Sequence, residues 1–178
     1  MTALTSASTP MALELSLSCD EELGKVPAQS EFLAWASAAL QQEPGLYSLA
    51  VRLVGEAGSR DLNHRYRGRN RATNVLSFSA GVPPELAAGL GFTPLGDLAL
   101  CAPVVRREAR EQGKAELHHW AHLTIHGVLH LLGHDHEAPA EARIMEQRER
   151  ELLAGMGIPD PYEAREGDGS LESGAANC

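Results

Sequence analysis

Three histidines and a glycine, spaced His-x-x-x-His-x-x-Gly-x-x-His, constrain the fold of this chain more than any other feature. They are His126, His130, Gly133 and His136. Residues four apart lie on one face of an α-helix about one turn from each other, so His126 and His130 can reach a single ion. Glycine readily takes the left-handed conformation that ends a helix, after which His136 can return to the same ion. The spacing predicts a helix, a tight turn and a three-histidine metal site.

The ligand types indicate one zinc ion per chain, at a catalytic rather than a structural site. The three cysteines are far apart and form no Cys-x-x-Cys pair, which argues against thiolate ligands and a disulfide framework. Three protein ligands leave a fourth coordination position open, as is typical of catalytic zinc. Metzincin proteases share this spacing, but Gly127 replaces the glutamate that serves as their base. Peptide hydrolysis by that route is therefore disfavoured.

Other polar residues of the same segment leave alternatives open. His134 can replace the last histidine of the motif as a ligand, and Asp135 suits a hydrogen bond to a ligand imidazole or a cap on the turn. His122 and His130 are about 12 Å apart along a continuous helix, too far for both to bind one zinc ion. For His119 and His122 we favour packing, hydrogen bonds at the helix start, or support of a ligand.

Charge is unevenly distributed along the chain. The net charge is −9 over 178 residues, so no general affinity for nucleic acid follows, and DNA is not expected as a partner. Residues 60–71 nevertheless contain five arginines, one third of all Lys and Arg, beside a single acid, Asp61. These arginines either follow an RNA backbone or form a solvated helix face paired with acidic neighbours. Charge alone supports the two interpretations equally.

Apolar periodicity predicts one α/β (α+β) domain, residues 12–163, with a small mixed sheet of about four strands covered by about five helices. Strands are predicted at 12–18, 48–54, 73–80 and 96–102, and helices at 30–40, 60–67, 104–112, 116–132 and 140–154. Ser30 and Ser59 are the predicted helix caps, and the Pro- and Gly-bearing segment 81–95 is a predicted loop. Residues 1–11 and 164–178 lack periodic apolar residues and are predicted to be disordered.

The composition is that of an ordinary globular protein, with 43% hydrophobic and 22% charged residues. No stretch reaches the ~18 continuous apolar residues of a membrane span, and no basic region precedes an apolar one near the N-terminus. We therefore expect a cytoplasmic protein without a membrane partner.

Four blocks of sequence follow one another along the chain: LNHRYRGRNRATNVLSF at 62–78, LGDLAL at 95–100, HGVLHLLGHDH at 126–136, and the EAR and ME residues of 141–146. Together they resemble the YbeY family of bacterial rRNA-maturation endoribonucleases, over about residues 13–163. The family's metal motif reads H-G-x-L-H-L-x-G-Y-D-H. His134 stands where that motif has Tyr, and Ala72 and Ser79 stand where the family usually has Pro.

The resemblance implies that the zinc ligands are His126, His130 and His136 and that the family's required arginine is Arg67. It implies a small mixed-sheet α/β fold and a single-strand-specific, metal-dependent endoribonuclease that matures the 3′ end of small-subunit rRNA and acts in ribosome quality control. The implied partners are rRNA, the small ribosomal subunit and its assembly proteins. Arg67 would hold phosphate oxygens as charge builds on them. Asp97 matches a family block and is a further catalytic candidate, although it could equally fix a turn.

Two other functions compete with an endoribonuclease. One is a non-catalytic ribosome-assembly factor in which zinc organises a surface for rRNA or a ribosomal protein, and the open coordination position argues against it. The other is a metalloprotease with a displaced base, against which Gly127 argues. Aromatic residues make up only 4% of the chain and form no series for base stacking, so affinity for naked RNA is expected to be weak.

Overall fold

The computed structural model describes residues 10–20, 22–134 and 137–163, which form four strands and six helices. In chain order these are β1 Ala12–Cys19, α1 Gln29–Leu40, β2 Leu46–Val54, α2 Glu56–Arg67, β3 Val75–Ser79, α3 Pro84–Leu90, β4 Thr93–Cys101, α4 Ala102–Glu111, α5 Glu116–Leu131 and α6 Pro139–Gly155.

The four strands form one mixed sheet in the order β1-β2-β4-β3. Strands β1, β2 and β4 are parallel, and β3 runs antiparallel to β4 at the edge. The inner strands β2 and β4 are rich in Leu and Val because helices cover both of their faces. This arrangement confirms the predicted single α/β domain with a small mixed sheet.

Side chains alternate between the two faces of the sheet. From β2, Leu49, Val51 and Leu53 join the main core with Phe32 of α1 and Trp120 of α5, whose rings meet edge to face at 5.9 Å. Val54 joins Cys101 of β4 and Val104 of α4 in a second cluster, against which Leu62 of α2 packs. Helices α1 and α5 therefore cover one face, and α2 covers the other.

Helix α5 is the central helix of the larger layer, in contact with β3, β4, α1, α4 and α6. It lies tightly against the sheet at Gly127. A Cβ atom there would lie 2.7 Å from Leu98 Cδ2 and 3.3 Å from Ser77 Oγ, and the Ser77 hydroxyl donates to the Gly127 carbonyl over 3.2 Å. Only a residue without a side chain allows α5 to lie this close to β3 and β4.

The segment 81–95 is not the predicted loop. It contains the short helix α3, which has Pro84 in its first turn and the left-handed Gly91 (φ 75°) just after its end, and β4 already begins at Thr93. No residue of α3 is buried. Because the helix has no core-facing side, apolar periodicity could not reveal it.

Both predicted serine caps are wrong. Helix α1 begins after Ala28, whose backbone N–H donates to the Glu31 carboxylate over 2.7 Å. Ser59 lies buried within α2, where its hydroxyl accepts a hydrogen bond from Thr73 N (2.9 Å) and donates to Thr73 O (2.8 Å). Ser59 thus ties the loop after α2 to the helix instead of starting the helix.

The predicted disordered tails lie almost entirely outside the described residues. Only Pro10 and Met11 of them are described, and Met11 packs against the main core. Among the described helices, none combines the length and apolar character that a membrane crossing requires.

Gly96→Ala should lower the free energy of unfolding by about 3 kcal/mol or more. Gly96 has φ 135°, and a Cβ atom would overlap the Phe78 carbonyl oxygen of the neighbouring strand. Gly89→Ala is the matched control, because Gly89 lies in α3 with open space around it, and it should be neutral or stabilise by up to about 1 kcal/mol. Urea unfolding would measure both, and equal free energies would contradict the argument from φ and contact.

Candidate metal centre

Two imidazoles converge on the exposed side of α5. Ile125, Val128 and Leu129 are buried in the core, so the same helical periodicity leaves His126 and His130 on the other side of α5. The Nε2 atoms of the two histidines are 3.1 Å apart. Two nitrogen ligands of one tetrahedral zinc ion lie roughly 3.3 Å apart, given bonds of ~2.0 Å. The pair is therefore arranged much as two ligands of one ion would be.

A carboxylate from α6 supports this pair from behind. Glu149 is completely buried, and its Oε1 atom lies 2.6 Å from Nδ1 of His126. The carboxylate accepts a hydrogen bond from the Nδ1–H group and so directs Nε2 of the same ring toward His130. A histidine that binds a metal usually donates its second ring N–H in this way, which fixes the tautomer and the ring orientation.

The other oxygen of Glu149 accepts two further hydrogen bonds. Nε2 of His122 lies 3.3 Å from Oε2, and the Tyr162 hydroxyl donates to the same atom. Burial alone would raise the pKa of Glu149, but the hydrogen bonds from His122 and His126 outweigh it and hold the pKa well below its ordinary value. The buried group is therefore a carboxylate with several donors around it.

The protonation states of His122 and Tyr162 allow both groups to donate hydrogen bonds to Glu149. Burial lowers the pKa of His122, against the opposing effect of its hydrogen bond to Glu149, so this imidazole is neutral near pH 7. Burial and the adjacent carboxylate both raise the pKa of Tyr162, so its hydroxyl keeps the proton that it donates.

The segment after α6 closes over the cluster. The ring of Tyr162 meets that of His122 edge to face at 5.4 Å, and the Arg150 guanidinium lies 4.8 Å from the centre of the Tyr162 ring. Arg150 also pairs with Asp160 over 3.0 Å, and Lys114 donates to the Pro161 carbonyl over 2.6 Å. A cavity of about 980 Å³ lies between this segment and the first turns of α5.

The described residues contain a group that can hold a metal ion. Ligand atoms of His122, His126 and Glu149 lie within 4.8 Å of one another. This group overlaps the predicted ligand set only at His126. In this group Glu149 is itself a metal ligand. In the predicted set Glu149 only orients the His126 ring, and His130 is a ligand. The last predicted ligand, His136, lies outside the described residues, as does Asp135.

The predicted end of the histidine-bearing helix is confirmed. Gly133 has φ 93° and follows the last turn of α5. Its backbone N–H donates to the His130 carbonyl over 3.0 Å, and the His134 N–H donates to the Leu129 carbonyl over 3.0 Å. The glycine therefore turns the chain just after His130, as the motif requires.

Two further predicted site residues lie on other elements. Arg67 is the last residue of α2 and is exposed. Leu98 faces α5, so its neighbour Asp97 points to the opposite face of the sheet. The structure therefore places Asp97 on the face of the sheet that α2 and Arg67 cover and not beside the histidines, and its catalytic role stays a prediction.

His119 has a packing role, one of those expected from the sequence. It is buried, with its Nε2 atom 2.7 Å from Glu108 Oε2. Burial alone would raise the pKa of Glu108, but hydrogen bonds from His119 and Asn74 outweigh it and lower the pKa. Asn74 also accepts a hydrogen bond from Val75 N at the start of β3, so it is a structural residue of this strand.

Sequence reasoning missed Glu149 and Tyr162. Glu149 stands in the charged run EQRERE, which is typical of a solvated helix face. A signal was nevertheless present, because Met145, Leu152 and Leu153 are four before, three after and four after it on the buried face of α6. A charged residue on an apolar helical face needs a buried partner, and here the partners are histidines.

Fold and site together define a class: a small α/β domain that carries a histidine and carboxylate group able to hold a metal ion. The family model described as Endoribonuclease YbeY matches residues 18–157. The Endoribonuclease YbeY of Alkalilimnicola ehrlichii is 53% identical over 91% of this chain and 97% of that protein, and that of Stenotrophomonas maltophilia is 52% identical over 86% and 95%. The chain belongs to the Endoribonuclease YbeY family, which confirms the family predicted from the four sequence blocks.

A solved structure shows the same fold. The solution structure of TM1509 from Thermotoga maritima matches with a TM-score of 0.53 at 21% identity, over 87% of this chain and 99% of that one. At this identity the likeness concerns the fold alone.

Glu149→Gln should weaken metal binding roughly 10- to 100-fold while part of the binding remains, because His126 loses the carboxylate that orients its ring. Glu151→Gln, an exposed change on the same helix, should leave affinity unchanged. Competition with a chelator of known affinity would measure the metal dissociation constants, and circular dichroism would check that both variants are folded.

The same measurement separates the two ligand groups. If His122, His126 and Glu149 hold the ion, then His122→Ala abolishes binding and His130→Ala does not. If His126, His130 and His136 hold it, then His130→Ala abolishes binding and His122→Ala does not. Wild-type affinity in Glu149→Gln would contradict any role for this carboxylate at the metal.

Proposed function

We propose that this protein is a zinc-dependent, single-strand-specific endoribonuclease whose ion is held by His126, His130 and His136. The observation that carries the proposal is the approach of the His126 and His130 Nε2 atoms to 3.1 Å, with Glu149 fixing the first ring. Cleavage of RNA phosphodiester bonds is the reaction for which its relatives are named.

The donor set suits zinc. Neutral imidazole nitrogens are preferred zinc ligands, and three of them leave one position for substrate or water. His136 is proposed as the third ligand because its offset from Gly133 completes the motif, and His134 is the alternative. When bound, a zinc ion supplies a Lewis acid that can polarise a phosphoryl oxygen or lower the pKa of water.

Residues of the chain supply the orientation and the fixed charge. Glu149 keeps the proton of His126 on Nδ1, so the Nε2 lone pair points away from the core. Arg67 is proposed to hold phosphate oxygens with its planar guanidinium as negative charge develops on them. Helices α2 and α5 cover opposite faces of the sheet, so RNA that reaches both Arg67 and the histidines must pass the edge strand β3. A flexible single strand can follow such a path more readily than a stiff duplex.

The structure gives a physical reason against a peptidase. A metzincin-type base would have to replace Gly127, where even a Cβ atom would lie 2.7 Å from Leu98 Cδ2. That side of α5 faces the sheet and has no space for a carboxylate.

The proposal also covers the role of the protein in the cell. It includes maturation of the small-subunit rRNA 3′ end, a role in ribosome quality control, contact with the small subunit and its assembly proteins, and a cytoplasmic location.

Purified wild-type protein should cleave a structured rRNA fragment within its single-stranded segments, and a chelator should stop the reaction. His130→Ala should lose bound zinc and at least roughly 100-fold in kcat/KM, since the Lewis acid contributes several kcal/mol. Arg67→Ala should keep its zinc but lose roughly 10²- to 10³-fold, the usual effect of removing one donor to a developing charge. Cleavage rates and elemental analysis would measure these effects.

Arg110→Ala is the control for Arg67→Ala, because Arg110 is an exposed arginine on α4 outside the 60–71 segment. It should cleave at the wild-type rate. Equal cleavage by the wild type, His130→Ala and Arg67→Ala would indicate a contaminating nuclease and would contradict the proposal that this protein is an endoribonuclease. Specific RNA binding without any cleavage would favour the non-catalytic assembly factor.

A further inference from the structure

The end of α2 and the loop after it present a continuous basic surface, here called the 64–71 surface. Every residue of this range is exposed. Within the described part of the chain, Arg65, Arg67 and Arg69 form no ion pair. Pairing with acidic neighbours, one of the two interpretations that charge alone allowed, therefore does not describe these three arginines. Their charge is available to an anionic partner.

Hydrogen bonds hold the backbone of this surface in place. Gly68 takes the left-handed conformation (φ 68°) and turns the chain at the end of α2. The Asn63 side chain, buried in α2, donates to the Arg71 carbonyl over 2.7 Å, and Ser59 bonds both backbone groups of Thr73. The arginine-bearing loop is thus tied to the helix at two points, which lowers the entropy lost when the loop binds a partner.

An aromatic residue, Tyr66, stands between Arg65 and Arg67 in this segment. Tyr66 is 61% exposed, and its ring centre is 4.8 Å from that of Phe78 on β3, at an interplanar angle of 60°. Phe78 is half-buried and supports Tyr66 from the side of the sheet. The Tyr66 ring is therefore held in position while most of its surface is open to solvent.

We propose that Tyr66 is a stacking platform for one unpaired base of the RNA, and that Arg65, Arg67 and Arg69 contact the neighbouring phosphates. This inference rests on the proposed endoribonuclease function and names a substrate-binding site for it. Any nucleobase can stack on an aromatic ring, whereas a duplex keeps its base faces inside the helix. A supported ring among unpaired arginines thus matches the chemistry of single-stranded RNA.

The residue that supports the platform, Phe78, directly follows the β3 residue that contacts α5. Phe78 supports Tyr66 on the α2 face of the sheet, and the preceding residue, Ser77, donates to the Gly127 carbonyl on the α5 face. Gly127 directly follows the candidate ligand His126. A base on Tyr66 would hold the strand at the sheet edge, and the next nucleotides could pass β3 toward the histidines.

The sequence did not reveal this site because its two rings are far apart along the chain. Tyr66 lies in the last turn of α2 and Phe78 lies in β3, so no run of aromatic residues marks the platform. The expectation of weak affinity for naked RNA followed from that missing run. A single supported ring beside fixed charges predicts base-dependent affinity for single strands.

Titration of a short single-stranded RNA that contains 2-aminopurine tests the platform, since stacking quenches the fluorescence of this base. A His130→Ala background prevents cleavage and leaves the 64–71 surface unchanged. Tyr66→Leu should raise the dissociation constant roughly 5- to 150-fold and abolish the quenching, whereas Tyr66→Phe should stay within about threefold. Phe92→Leu is the control, because Phe92 is an exposed aromatic residue outside the arginine segment, and it should behave as the parent protein does.

Three outcomes would overturn the platform. Tyr66→Leu could bind with the parent dissociation constant, it could retain the quenching, or it could lose affinity for duplex RNA as much as for single strands. Metal content and thermal unfolding of Tyr66→Leu made in the protein with its histidines intact, both expected unchanged, separate a local effect from misfolding. If the protein with its histidines intact cleaves single-stranded RNA while Tyr66→Leu binds normally, only the platform fails. If that protein neither binds nor cleaves RNA, the proposed function itself fails.

Discussion

The buried carboxylate of Glu149 is the interaction on which the candidate site depends. Removing a carboxylate from water costs several kcal/mol unless donors surround it. Here the donors are His126 and His122 on α5 and Tyr162 after α6. The carboxylate therefore joins two helices and the segment that follows them, and the orientation of a candidate metal ligand depends on one charge.

A second constraint lies on the other side of α5. Gly127 allows the helix to approach Leu98 and Ser77 so closely that a side chain has no room. Glu149 bonds the His126 ring from α6, and Gly127, the next residue after His126, holds the helix close to the sheet, so His126 has little freedom to move. The same close packing removes the place where a peptidase would hold its base.

Sequence alone predicted most of what depends on neighbouring residues. The helix, the Gly133 turn and the His126–His130 pair follow from spacing within one segment, and the four strands follow from apolar alternation. The features that the sequence did not reveal are of two kinds. Some depend on residues far away in the chain, and one is a helix without a core-facing side. Glu149 looks solvated until His126 is placed beside it. Helix α3 has no buried side and gives no periodic signal.

The residues that complete the histidine cluster come late in the chain. Glu149 follows His126 by 23 residues, and Tyr162 follows His122 by 40. All four strands precede α5, so a chain made from its amino end can form the sheet and pack α5 before α6 leaves the ribosome. At that stage His126 still lacks its carboxylate. The ring of His126 can therefore be oriented by Glu149 only once α6 has been synthesised, after all four strands and α5.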